Sequence, residues 1–231
     1  MFNLTLSKKA TKTLLSEFIS SETNFQKVNE SWEKLSSDYI EYYDLYSGPK
    51  MARQELSFHN QVKLLAYLLL FMKGKLSGDN LEIGVWKGKS LALFELFSDS
   101  GATFGVDYCV FENQFEEISY FQKKFSPRSK IIRKYSEFAA AEVYQSTEGL
   151  KLLHIDGGHE RDNVWADFLI YSPLVLPGGF VVFDDYVDPL SPNVGPAVDE
   201  LNERGFFRDF EIVGVLESFP SSFVLRKLQS R

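Results

Sequence analysis

An α/β domain on a doubly wound, mostly parallel sheet of seven strands is the fold this sequence predicts, and three observations predict it. From residue 80 onwards short apolar runs alternate with stretches of helical length, the pattern of βαβ crossovers. The first run leads straight into Gly84-Val85-Trp86-Lys87-Gly88, a loop of the kind that lies at the carboxyl edge of such sheets. The last two apolar runs, 210–216 and 222–227, leave no room for a helix between them. They are expected to pair as a hairpin around 218–221, with the seventh strand antiparallel to its neighbour.

In chain order, residues 1–54 form an N-terminal helical extension and 55–231 the main domain. Trp32, Leu35, Tyr39, Tyr42 and Tyr46 recur at helical spacing. They suit an amphipathic helix laid against the main domain, or a lid over a substrate. Ser47-Gly48-Pro49 ends that pattern. A helix over 55–73 follows, and Gly74 and Gly78 punctuate the entry into the sheet. Strands are then expected at 80–85, 103–108, 130–133, 150–156 and 180–184. Helices are expected at 87–97, 112–125, 137–145, 161–174 and 196–204, with Pro177-Gly178-Gly179 closing the fourth of them.

Composition narrows the function classes. A net charge of -7 argues against a nucleic-acid partner, which calls for a basic face. The single cysteine, Cys109, excludes an internal disulfide and a multi-cysteine zinc site, and suits a reducing cytoplasm. Lys8 and Lys9 lead into Ala-Thr-Lys-Thr rather than an apolar run, so no signal peptide is expected. The longest apolar run, Leu64 to Met72, is far short of the about 20 residues of a membrane span. A soluble cytoplasmic protein with no membrane partner is expected, and an exposed aromatic N-terminal helix would suit a homodimer.

The glycine loop separates three ligand classes. A dinucleotide site requires glycine where Trp86 stands, and the indole would fill the pyrophosphate position. A phosphate loop requires four residues between its glycines, whereas Gly84 and Gly88 are separated by three before Lys89-Ser90. That near miss keeps a nucleotide hydrolase open, since Val181-Val182-Phe183-Asp184 resembles a magnesium-supporting strand. S-adenosylmethionine carries an ammonium and a carboxylate instead of phosphates. Glu82, just before the loop, suits its cationic side. Asp107, at the end of the second strand, can accept both ribose hydroxyls. Gly84, Trp86, Gly88 and Ser90 are then the loop contacts to this cofactor.

The most specific stretches are His154-Ile155-Asp156-Gly157-Gly158-His159 and Pro177-Gly178-Gly179-Phe180-Val181-Val182-Phe183-Asp184-Asp185-Tyr186. Parallel strands put Asp156, Asp184 and Asp185 on one sheet edge, beside the cofactor loop. Converging carboxylates repel unless a cation sits among them, and an all-oxygen set favours a hard divalent ion such as Mg2+. His159, three residues past Asp156, is placed to take a proton from a substrate hydroxyl. His154 alternates with Asp156 along its strand, and it is as readily a packed polar residue as a site residue.

From about Asn80 to Leu201 the chain resembles the small class I S-adenosylmethionine-dependent methyltransferases marked by Asp-Gly-x-His and Pro-Gly-Gly-x-x-x-x-Asp-Asp. The macrocin and related sugar O-methyltransferases are the nearer likeness, and the catechol O-methyltransferases a more distant one. The resemblance implies a Rossmann-like seven-stranded sheet. It also implies magnesium at Asp156, Asp184 and Asp185, and a base at His159. Asp156 would border the cofactor as well, and Ser136 would contact the adenine. The expected reaction is metal-assisted O-methylation of a small hydroxylated molecule. A non-catalytic or hydroxylase-like protein on the same fold is the alternative.

Overall fold

Residues 10–47 and 62–229 are described by the computed structural model. The chain divides into two compact units, Met1–Ser57 and Phe58–Arg231. The first contains α1 (Ala10–Ser20) and α2 (Glu22–Ser47). Asn24 ties the start of α2 to the end of α1, its Nδ2 donating to the Phe18 carbonyl at 2.9 Å. The helical spacing is realised: Val28, Trp32 and Tyr39 are buried, with Leu35 and Tyr42 half-buried on the same stripe. The Tyr46 side chain, Gly48, Pro49 and the 55–61 part of the expected third helix lie outside the described residues.

The second unit begins with α3 (Lys63–Met72), whose leucines are buried nearly all round. Then follow β1 (Asp79–Ile83), α4 (Lys89–Phe97), β2 (Thr103–Val106), α5 (Gln114–Phe125), β3 (Ser129–Ile132) and α6 (Ser136–Ser146). The chain continues through β4 (Leu150–Ile155), α7 (Arg161–Tyr171), β5 (Val175–Phe183), α8 (Val194–Glu203), β6 (Phe210–Leu216) and β7 (Phe219–Lys227).

The sheet order is β3-β2-β1-β4-β5-β7-β6. β1 to β5 are parallel, and β7 lies antiparallel between β5 and β6. After β3 the chain returns to the far side of β1, so strand order reverses between β1 and β4. At such a switch point the loops leave a crevice at the carboxyl ends of the strands. Register sets those ends level: Ile83 pairs with Val106 and Ile155, and Ile155 with Phe183. The next residue of each strand is still anchored by its amide. Gly84 N donates to Val106 O at 2.9 Å, Asp156 N to Ile83 O at 2.9 Å, and Asp184 N to Ile155 O at 3.0 Å.

Leu81, Ile83, Leu153, Ile155, Val181 and Phe183 point from the central strands into one core, which Phe168, Phe207 and Phe223 complete. Burying each such side chain contributes about 1.5–3 kcal/mol. The opposite sheet face carries polar groups at Asn80, Glu82 and His154, all buried.

Most boundaries fall within a few residues of the sequence reading, and two departures have a shared cause. β5 starts at Val175, not at 180, because Pro177-Gly178-Gly179 is absorbed into the strand as an irregularity. Pairing jumps from Leu150↔Val175 to Leu152↔Phe180, and Gly178 takes φ 89°. The hairpin turns at residues 217–218 rather than across 218–221. β7 can therefore include Pro220, which lies beyond the stretch of β7 paired with β5 and has no ladder bond there to lose.

Candidate active site

The glycine loop is held by its own neighbours. Gly84 has φ 85°, and a Cβ there would lie 1.9 Å from the Asp156 carbonyl oxygen, so no side chain fits. Asp107 clamps the loop from the end of β2. Its Oδ2 accepts from Val85 N at 2.9 Å and Trp86 N at 3.0 Å, and its Oδ1 from Cys109 N at 2.6 Å. Gln114 Nε2 donates to both oxygens at 3.3 Å. Trp86, left-handed at φ 50°, packs its indole against the Phe111 ring at 5.0 Å.

Beneath the loop, Glu82 and His154 form a buried pair, Oε1 to Nδ1 at 3.0 Å. Burial raises the Glu82 carboxyl above its ordinary range. Burial alone would lower His154, but the Glu82 hydrogen bond and the charges of Asp156, Glu82 and Asp184 outweigh it and carry it up to about 9.

Above the switch point lies a cavity of about 610 Å³. Its wall comes from the glycine loop (Gly84, Trp86), the turn after β2 (Asp107 to Phe111) and the segment entering α6 (Tyr135 to Glu137). The turn after β4 (Asp156 to His159), Asp167 of α7 and Asp185 complete it. Of the residues expected around a cofactor, Gly84, Trp86, Asp107, Ser136 and Asp156 line this cavity. Glu82, Gly88 and Ser90 do not: Glu82 faces the sheet interior with His154, and Gly88 opens α4 at φ 77°.

Donor atoms of Asp156, His159 and Asp185 lie within 4.8 Å of one another. His159 Nε2 is 3.1 Å from Asp185 Oδ2, and its Nδ1 is 2.9 Å from Ser191 Oγ, which also donates to Asp185 Oδ2 at 3.2 Å. Burial, then the Asp184 charge, holds the Asp156 carboxyl well above the usual carboxylate range. The same two causes raise Asp185. Asp185 adopts φ 58°, a conformation that costs a non-glycine residue about 1–3 kcal/mol and gathers at functional sites.

Asp184 is not in this cluster: its Oδ1 accepts from Ser222 Oγ of β7 at 3.0 Å, while its charge reaches both Asp156 and Asp185. The cluster itself brings together two carboxylates and one imidazole. Sequence reasoning also passed over the cavity residues Glu137 and Gln114 on helices, and gave no role to Asp167, which follows His159 in the most specific stretch.

Residues 81–186 match a family described as a methyltransferase domain. Over 127 residues the chain is 34% identical to an uncharacterized protein of Acanthamoeba polyphaga mimivirus; the match covers 52% of this chain and spans 58% of the viral protein's length. In fold the chain is similar to the O-methyltransferase TomG from Streptomyces achromogenes, solved in complex with SAM (TM-score 0.58, 17% identity, 85% of this chain and 90% of that one). It is similar also to the MycE methyltransferase of the mycinamycin biosynthetic pathway, solved with Mg and SAH (TM-score 0.55, 20% identity, 83% of this chain and 55% of that one). Residues 81–186 thus match a methyltransferase domain, and the chain shares the Rossmann-like fold of these two enzymes.

Proposed function

We propose that this protein transfers the methyl group of S-adenosylmethionine to a hydroxyl of a small molecule, with a divalent cation, Mg2+ foremost, at the acceptor site. The observation that carries the reading is the Asp156–His159–Asp185 cluster on the rim of a cavity at the switch point of a methyltransferase fold.

The residues fit both groups. The cavity volume suits a nucleoside-sized ligand. Two carboxylates whose protonation burial favours, facing an imidazole, are a donor set that a cation would relieve. The contact between His159 Nε2 and Asp185 Oδ2 is favourable only with a proton or a cation between the two atoms. Asp156 and Asp185 would hold the ion. Asp107, whose two oxygens already accept from three backbone amides and Gln114, would hold the glycine loop in place beside the ribose, and Ser136 would approach the base. Glu82, Gly88 and Ser90 would act from beneath, by shaping the loop.

S-adenosylmethionine supplies an electrophilic methyl on sulfur, and a divalent ion lowers the pKa of a hydroxyl bound to it. His159 accepts the acceptor's proton. With Nδ1 protonated and donating to Ser191 Oγ, its Nε2 keeps the lone pair a base requires. The cavity walls would hold acceptor and cofactor side by side, and such positioning can supply about 7–11 kcal/mol of barrier lowering.

A nucleotide hydrolase is disfavoured by a specific contact: the Val85 and Trp86 amides, which a phosphate would need, already donate to a carboxylate. The charge of -7 supports a small acceptor rather than nucleic acid, and a cytoplasmic setting suits the free thiol. Among the described residues no helix is long and apolar enough to cross a membrane.

The test is transfer of labelled methyl to a panel of hydroxylated acceptors by wild type and His159→Ala. The variant should lose about 10²- to 10⁴-fold in turnover while keeping its affinity for S-adenosylhomocysteine. Wild-type turnover in the variant would remove His159 from the chemistry, and full activity in chelator would remove the metal.

A further inference from the structure

An ionised carboxylate offers about four lone-pair positions, two on each oxygen. Asp107 has spent them on its own chain. Its Oδ2 accepts from Val85 N at 2.9 Å and Trp86 N at 3.0 Å, and its Oδ1 from Cys109 N at 2.6 Å. Gln114 Nε2, 3.3 Å from both oxygens, takes the capacity that remains. Three of these donors are backbone amides in turns that contain left-handed residues, Trp86 at φ 50° and Cys109 at φ 60°. They cannot swing aside for a ligand as a lone side chain could.

Gln114 is itself tied down. It is buried at the first position of α5. Its Oε1 accepts from Phe111 N at 3.2 Å, and its Nε2 also reaches the Trp86 carbonyl at 3.4 Å. One carboxamide thus joins the glycine loop, the acid after β2 and the turn that follows it. A ligand that pushed Gln114 off Asp107 would strand a buried N–H, and that cost offsets what the new hydrogen bond gains.

Both residues belong to the cavity wall. A vicinal diol docks on a carboxylate by donating from each hydroxyl, which needs two acceptor positions side by side. The closed network has no such pair to offer. We infer that this protein does not read the ribose diol of its methyl donor, and that it takes adenosyl ligands lacking the 2′ or the 3′ hydroxyl as readily as the parent. Asp107 and Gln114 serve the glycine loop instead, and Gln114 is the positioning residue that keeps Asp107 closed. The inference rests on the adenosyl reading of the cavity, and it departs from the ribose contact that the sequence alone predicts for Asp107.

Calorimetric titration with S-adenosylhomocysteine and with its 2′-deoxy and 3′-deoxy analogues tests it. Wild type should bind the three within about threefold of one another, because no protein group is left unpaired when a hydroxyl is missing. A larger loss for either analogue overturns the inference, whether or not any variant folds. Gln114→Leu frees the remaining acceptor capacity of Asp107, so the parent should then outbind the analogues by more than about threefold. Equal binding of all three by Gln114→Leu would remove Gln114 from the role of keeping Asp107 closed. If wild type binds none of the three, the adenosyl reading itself fails, and the two failures are told apart.

Discussion

The loop after β1 and the turns after β4 and β5 lie side by side on one sheet edge, yet they treat polar groups in opposite ways. At the loop, two backbone amides and one from the neighbouring turn converge on Asp107, and Gln114 adds two more contacts. At the turns, Asp156 and Asp185 face each other with their carboxyls raised, Asp185 is held left-handed, and nearby Asp167 leaves an oxygen unpaired. A satisfied network rigidifies the place where a cofactor rests. An unsatisfied one stores the demand for a cation, a proton or a ligand donor. The difference teaches where to look for chemistry: in the acids whose carboxyls are raised rather than in the acid with most partners.

Substitutions can break this contrast, and the largest effect is expected at the junction of the two regions. Gly84→Ala drives a methyl into the Asp156 carbonyl, and should cost at least about 4 kcal/mol in urea unfolding. A mild effect would mean that the loop and the β4 turn are not locked together.

Next is a pH signature of the unsatisfied region. Asp167 titrates near the ordinary aspartate value in the unfolded chain and at about 7 in the folded one. Between these values the folded chain binds the extra proton, so stability present below about pH 4 is lost as the pH rises towards 7. Asp167→Asn should remove that slope and be more stable at pH 8 by up to about 4 kcal/mol, at about 1.4 kcal/mol per unit. Parallel pH profiles for the two proteins would show that Asp167 is not strained in the unliganded state.

The satisfied side should respond less. Asp107→Ala strands three backbone amides that water can partly reach, and should cost about 2–3 kcal/mol. It should also weaken S-adenosylhomocysteine binding, because the loop loses its clamp. Gly88→Ala is expected to be smallest, about 1 kcal/mol, since φ is positive but nothing lies within 4 Å of the new methyl. A loss at Gly88 equal to that at Gly84 would show that φ, not the close approach, sets the cost.

Period and spacing made the sheet legible in the sequence. Every strand from β1 to β7 follows from apolar runs of strand length, and the final hairpin from the lack of room for a helix. The misplaced boundaries have one cause. Pro177-Gly178-Gly179 and Pro220 read as breakers, but a strand tolerates them at an irregularity or beyond its paired stretch. At the site, Asp156, His159 and Asp185 were visible because strand ends converge. Asp184 was visible for the same reason, but its contact with Ser222 of β7 was not, because that depends on the pairing of β5 with β7. The places of Asp167 and Glu137 in the cavity wall were not legible, because they depend on α7 packing beside α6, a tertiary relation that local pattern does not encode.

The measurement that bears most directly on the central claim is calorimetric titration of the intact chain with S-adenosylhomocysteine, with and without Mg2+, alongside ATP and NAD. Micromolar binding of S-adenosylhomocysteine, with ATP and NAD inert, is the predicted result. Binding of ATP with none of S-adenosylhomocysteine would contradict it and make the short glycine loop a phosphate loop after all.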